Sequence, residues 1–107
     1  MRMGQLMAWR WGVDMERLYD LPEKNRGFVY DPARVECPVL ILIGEGEDQN
    51  PIIHAQQEHA MEAMPDPRKS LVVAPLDEGA GGHCLGENVG LMSALVFDWL
   101  EEVFAGR

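Results

Sequence analysis

The run Cys37-Pro38-Val39-Leu40-Ile41-Leu42-Ile43-Gly44 constrains the fold of this 107-residue chain more than any other stretch. It is unbroken, rich in branched apolar residues, opened by a proline and closed by a glycine, which predicts a strand. Alternation would mark a sheet with one wet face, whereas continuous hydrophobicity is what a parallel strand covered on both faces requires. A second short apolar run, Ser70 to Ala74, predicts a second strand. Between the two, Ile52 to Met64 is patterned as a helix, with Ile53, Ala60, Met61 and Met64 on one stripe and Gln56, Glu58, His59 and Glu62 largely off it. Pro65 and Pro67 end that helix. Beyond the second strand, Met92, Leu95, Val96, Trp99, Leu100, Val103 and Phe104 share one face, the clearest helical periodicity in the chain. Two strands joined by a helix pair in parallel through a right-handed crossover. The expectation is therefore an α/β unit with two parallel strands. Its open edges invite completion by oligomerisation.

Upstream, Met3, Met7, Trp11, Met15 and Leu18 recur at helical spacing and predict an amphipathic helix from about Met3 to Tyr19, weakened by Gly12. Burial of its Met and Trp stripe against the rest of the chain is expected, although methionine-rich faces also serve as adaptable partner surfaces. Leu21 to Glu36, with Pro22, Gly27 and Pro32 among charges, has the composition of a loop. The chain divides on this reading into an N-terminal helix and linker, residues 1–36, and a unit of residues 37–107.

Composition removes several function classes. The formal net charge is −9 and the isoelectric point near 4.6, so a nucleic-acid backbone is repelled and no nucleic-acid partner is expected. No uncharged apolar run approaches the ~20 residues that span a bilayer, and no signal-peptide pattern opens the chain, so no membrane partner and a cytoplasmic location are expected. Cys37 and Cys84 have no metal-like spacing and read as free thiols. His54 and His59, five residues apart, do not share a helix face and read as solvated rather than as metal ligands. No cofactor is expected. At Gly44-Glu45-Gly46 the dinucleotide glycine spacing is incomplete, and the acid would repel phosphate.

The chemistry gathers in two loops. In a parallel α/β sheet, sites form beyond the carboxyl ends of the strands. The acidic turn Glu45 to Asn50 follows the first strand, and the glycine run Gly79-Ala80-Gly81-Gly82-His83-Cys84 follows the second. Glycines let that run turn sharply and bring backbone close to its neighbours. His83 is the candidate acid/base, and a carboxylate from the first loop would fix its tautomer and stabilise the imidazolium. Alternatively, Glu45, Glu47 and Asp48 form a solvated acidic loop or cap the following helix.

From Val35 to Phe104 the order of elements resembles the C-terminal part of an α/β-hydrolase: a Cys37-Pro38-led strand ending in Gly44, an acidic loop, a helix, a strand, the His83 loop, and a closing helix with Phe97-Asp98-Trp99-Leu100. Gly79-Ala80 followed by His83-Cys84 and Asn88 most resembles the esterase and acyl-peptidase-like branch that includes dihydropseudooxynicotine hydrolase relatives. The resemblance implies that His83 is the general base of a catalytic triad. It implies an acid at Glu47 or, one register step away, at Asp48, with Glu47 narrowly preferred and the two not separated by sequence. Gly-x-Ser-x-Gly, the elbow that exposes a serine nucleophile, does not occur, and the only serines are Ser70 and Ser93. Cys84 and Cys37 read as structural thiols. The resemblance thus implies base and acid without nucleophile, a chain inactive alone, and either a complementing hydrolase chain or a second copy as partner. The competing reading is a non-catalytic interaction module of hydrolase-derived sequence.

Overall fold

The structure, a computed structural model, describes residues 2–106. The chain divides into two compact units, Met1–Tyr30 and Asp31–Arg107.

In the first unit, helix α1 spans Met3–Trp11 and stops at Gly12, which takes the left-handed conformation (φ 61°, ψ 40°). The expected helix to Tyr19 is therefore cut short. A 3-10 segment, Met15–Asp20, and the short helix α2, Leu21–Lys24, replace its second half and the start of the expected loop. Left-handed glycine ends a helix by turning the chain back, so Met15 and Leu18 no longer continue the stripe of Met3, Met7 and Trp11. Instead Leu18 packs over Gly4, and Trp11 meets Phe28 edge-to-face with ring centroids 5.4 Å apart. The stripe is largely uncovered, contrary to expectation. Ala8 is buried, whereas Met3, Met7, Met15 and Trp9 are exposed.

The second unit opens with a 3-10 turn at Pro32–Arg34, capped by Asp31. Strand β1 (Val39–Gly44), helix α3 (Glu45–Asp48), helix α4 (Pro51–Ala63), strand β2 (Lys69–Ala74) and helix α5 (Val89–Phe104) follow. The strands pair in parallel, in register from Val39 opposite Lys69 to Gly44 opposite Ala74. The protein is thus mixed α/β with a two-stranded parallel sheet. Asn50 starts α4 by accepting the Ile52 N–H at 3.0 Å, with Pro51 at the first helical position. At the other end Lys69 Nζ donates to the Met64 carbonyl at 2.6 Å, and the Arg68 guanidinium grips Asp66 through two hydrogen bonds, fixing the turn into β2.

The core lies under the glycine loop: Ala74, Ala80 and Leu85 are buried against Leu42, Leu91, Met92 and Leu95. Burial of β1 is complete only at Ile43 and Gly44, so double coverage is confined to the carboxyl end of the sheet. Helix α5 has no fully buried residue, and Phe104, expected on its inner face, is 85% exposed. Two strands about 4.8 Å apart are too narrow to cover more than one stripe of a helix. Among the described residues, no helix is long and apolar enough to cross a membrane.

Candidate functional site

The glycine run is seated on the corner between β1 and α3. A Cβ at Gly44 would overlap the Ala80 carbonyl oxygen, and one at Gly46 would overlap that of Gly81, so glycine at these positions admits the loop backbone. Three side chains then hold it. Glu45 Oε2 accepts the Leu76 N–H at 2.8 Å, Glu87 Oε2 accepts the Gly82 N–H at 2.9 Å, and Asn88 Nδ2 donates to the Glu78 carbonyl at 2.7 Å. Asn88 also accepts the Leu91 N–H at 3.0 Å and so caps α5.

His83 leaves this platform towards Glu47. Its Nδ1 lies 2.6 Å from Glu47 Oε1, and the Cys84 N–H donates to Glu47 Oε2 at 3.4 Å. An ionised carboxylate only accepts, so Nδ1–H is the donor, and in the neutral imidazole Nε2 then carries the lone pair. The imidazole is 84% exposed and the Glu47 side chain 26%, which leaves Nε2 open to a reactant. The hydrogen bond from His83 holds the Glu47 carboxyl below its ordinary value of 4.5, burial opposes that shift, and the Cys84 N–H adds to it. Asp48 goes elsewhere. Its Oδ1 lies 3.0 Å from His54 Nδ1, and the other ring nitrogen is 3.5 Å from Glu58 Oε1. His54 is therefore not simply solvated. The hydrogen bond that its Nδ1 donates to Asp48, then the charges of Asp48 and Glu58, raise it above its ordinary 6.5.

The signs of these two contributions differ. Glu47, depressed in the folded state, stabilises the His83 turn fully above pH 4.5, and that contribution is lost as pH falls through the folded value. His54, raised in the folded state, stabilises the junction of α3 and α4 fully below pH 6.5, and that contribution is lost as pH rises through its folded value. Hydrogen exchange at the Cys84 amide is therefore expected to speed up, beyond its intrinsic pH dependence, as pH falls below 4.5 through the depressed folded value, and Glu47→Gln should abolish that excess. An excess identical in the variant would exclude Glu47 as the titrating group.

Cys84 and Leu85 are consecutive non-glycine residues at positive φ, 57° and 52°. Left-handed backbone costs a residue with a Cβ ~1–2 kcal/mol, and glycine loses ~0.5–1 kcal/mol more conformational entropy on folding. Cys84 is exposed, so Cys84→Gly should stabilise the unit by about 0.5 kcal/mol in urea unfolding. A loss above about 1 kcal/mol would show that the thiol packs.

Cys37 and Cys84 are both free, and both are exposed. Among the described residues, no group of three or more His, Cys, Asp or Glu side chains is arranged to hold a metal ion. A groove of about 390 Å³ lined by Glu36, Pro65, Asp66, Pro67 and Arg68 sits where the chain leads into the strands, at the edge opposite His83. The role of Glu87 had no sequence signal beyond an acid in a short loop. The signal that could have found Asn88 is its residue type, one that caps helices, placed immediately before an apolar run. Comparison with protein-family models, curated proteins and solved structures gives no match.

Proposed function

We propose that residues 37–107 form the C-terminal part of an α/β-hydrolase-type unit acting on ester or amide bonds, with His83 as general base and Glu47 as the acid that orients it. The observation that carries this reading is the 2.6 Å hydrogen bond between His83 Nδ1 and Glu47 Oε1, made across 36 residues at the carboxyl edge of a parallel sheet. Glu47 holds the imidazole with Nε2 free, and Nε2 takes the proton from a hydroxyl as its oxygen attacks a carbonyl carbon. The imidazolium then returns that proton to the leaving group. No serine stands at an elbow: Ser70 is in β2 and Ser93 in α5, so the attacking hydroxyl comes from outside residues 1–107. Substrate class beyond esters and amides is set by that missing part.

A small alcohol can stand in for the absent serine. With an activated short-chain ester and methanol, the chain should accelerate methanolysis roughly tenfold over His83→Ala, without a burst of acylated protein. Equal rates for the two proteins would leave the second reading, a non-catalytic interaction module. That reading draws on a different observation: Val89, Phe97 and Phe104 of α5 are exposed beside a sheet whose two strands leave both edges unpaired.

A further inference from the structure

We propose that Glu87 is a positioning residue for His83: by holding the backbone of Gly82 it fixes the direction in which the imidazole leaves the loop. The inference rests on the reading of His83 and Glu47 as base and acid. Its basis is a contact that works from two sides. The Gly82 N–H donates to Glu87 Oε2 at 2.9 Å, a charge-assisted bond that ties the residue before the histidine. A Cβ on Gly82 would lie 2.5 Å from Glu87 Oε1 and 2.6 Å from its Cδ, so the carboxylate occupies the space a side chain would take. Gly82 has an extended backbone, φ −92° and ψ 176°, which any residue adopts. A side chain at this position therefore conflicts with the Glu87 carboxylate, which would have to move aside, and not with the backbone conformation.

The loop needs such an anchor. Gly79, Gly81 and Gly82 give it more rotational freedom than any other stretch of the second unit. On the far side of His83 the Cys84 amide is held by Glu47. The histidine is thus bracketed by two carboxylates acting on flanking amides, one of which also receives the ring. Releasing the Gly82 amide lets the 81–82 peptide rotate and swings the imidazole away from Glu47, although Glu87 acts only through the backbone. An amide side chain of the same length keeps an acceptor oxygen in reach; alanine does not.

The test uses the ring ¹⁵N shifts of His83 in the full chain, recorded with neutral imidazole, because they report the ratio of the two tautomers. Wild type should show the Nδ1–H tautomer in excess. Glu87→Ala should lower that ratio at least threefold, Glu87→Gln should restore it, and Gly82→Ala, which displaces the carboxylate, should reproduce Glu87→Ala with no additional change in the double variant. A wild-type ratio in both Glu87→Ala and Gly82→Ala, while Glu47→Ala shifts it, would overturn the role of Glu87 and leave the base and acid in place. A ratio that Glu47→Ala does not move would overturn the reading on which the inference rests.

Discussion

Gly44→Ala is expected to destabilise the second unit by about 3 kcal/mol, towards the upper end of overpacking costs. Gly44 has φ −78° and ψ 143°, so alanine fits its backbone conformation and the penalty is steric. The added methyl would overlap the carbonyl oxygen of Ala80, a residue 0% exposed, and backbone cannot yield as the end of a flexible side chain can. Relief requires lifting the loop off β1, which takes His83 away from Glu47. The urea midpoint should fall by roughly 1–3 M at the slope of a small domain. Gly90→Ala is the internal control, since in α5 a Cβ meets only Asn88 Oδ1 at 3.6 Å, an ordinary contact. There the same substitution should stabilise by about 0.5–1 kcal/mol through helix propensity. Equal midpoints for the two variants would mean that the loop is not seated on Gly44.

Leu85→Ala is expected to cost about 2–4 kcal/mol, the loss of a buried side chain plus the cavity it leaves. Leu85 is 1% exposed and one of the two largest fully buried side chains of the second unit, packed with Ala74 and Ala80. It belongs to the same 3-10 turn as His83, His83–Leu85, so it anchors from below the loop that the glutamates hold from the sides. Leu85→Met, which conserves volume, should cost less than about 1.5 kcal/mol. The two variants separate packing from backbone, because both replacement residues carry a Cβ at the same positive φ. If alanine and methionine were equally damaging, the strained backbone rather than the core would set the stability of the turn.

Much of the second unit was legible from its pattern. The unbroken run ending at Gly44, the helix closed by Pro65 and Pro67, and the long periodic segment ending at Phe104 correspond to β1, α4 and α5 within one or two residues at most ends. Local chemistry governs those boundaries, since Asn50 and Asn88 cap helices that their own neighbours begin. The first unit was less legible. Whether Gly12 stays helical or turns left-handed depends on what the following residues meet, here Phe28 against Trp11 and Leu18 against Gly4.

By itself the sequence determined that two apolar strands lie in parallel and that an acidic turn and a histidine-bearing glycine run share their carboxyl edge, because continuous hydrophobicity and strand–helix–strand order allow little else. Which acid meets the histidine was decided only by tertiary structure. Glu45 to Asp48 form a helical turn, and successive residues there project about 100° apart, so Glu47 reaches His83 while its neighbour Asp48 reaches His54. A one-residue choice of register carries no signature in composition or spacing. It is fixed by where the Ala80 and Gly81 carbonyls come to rest against Gly44 and Gly46, a contact between segments more than 30 residues apart.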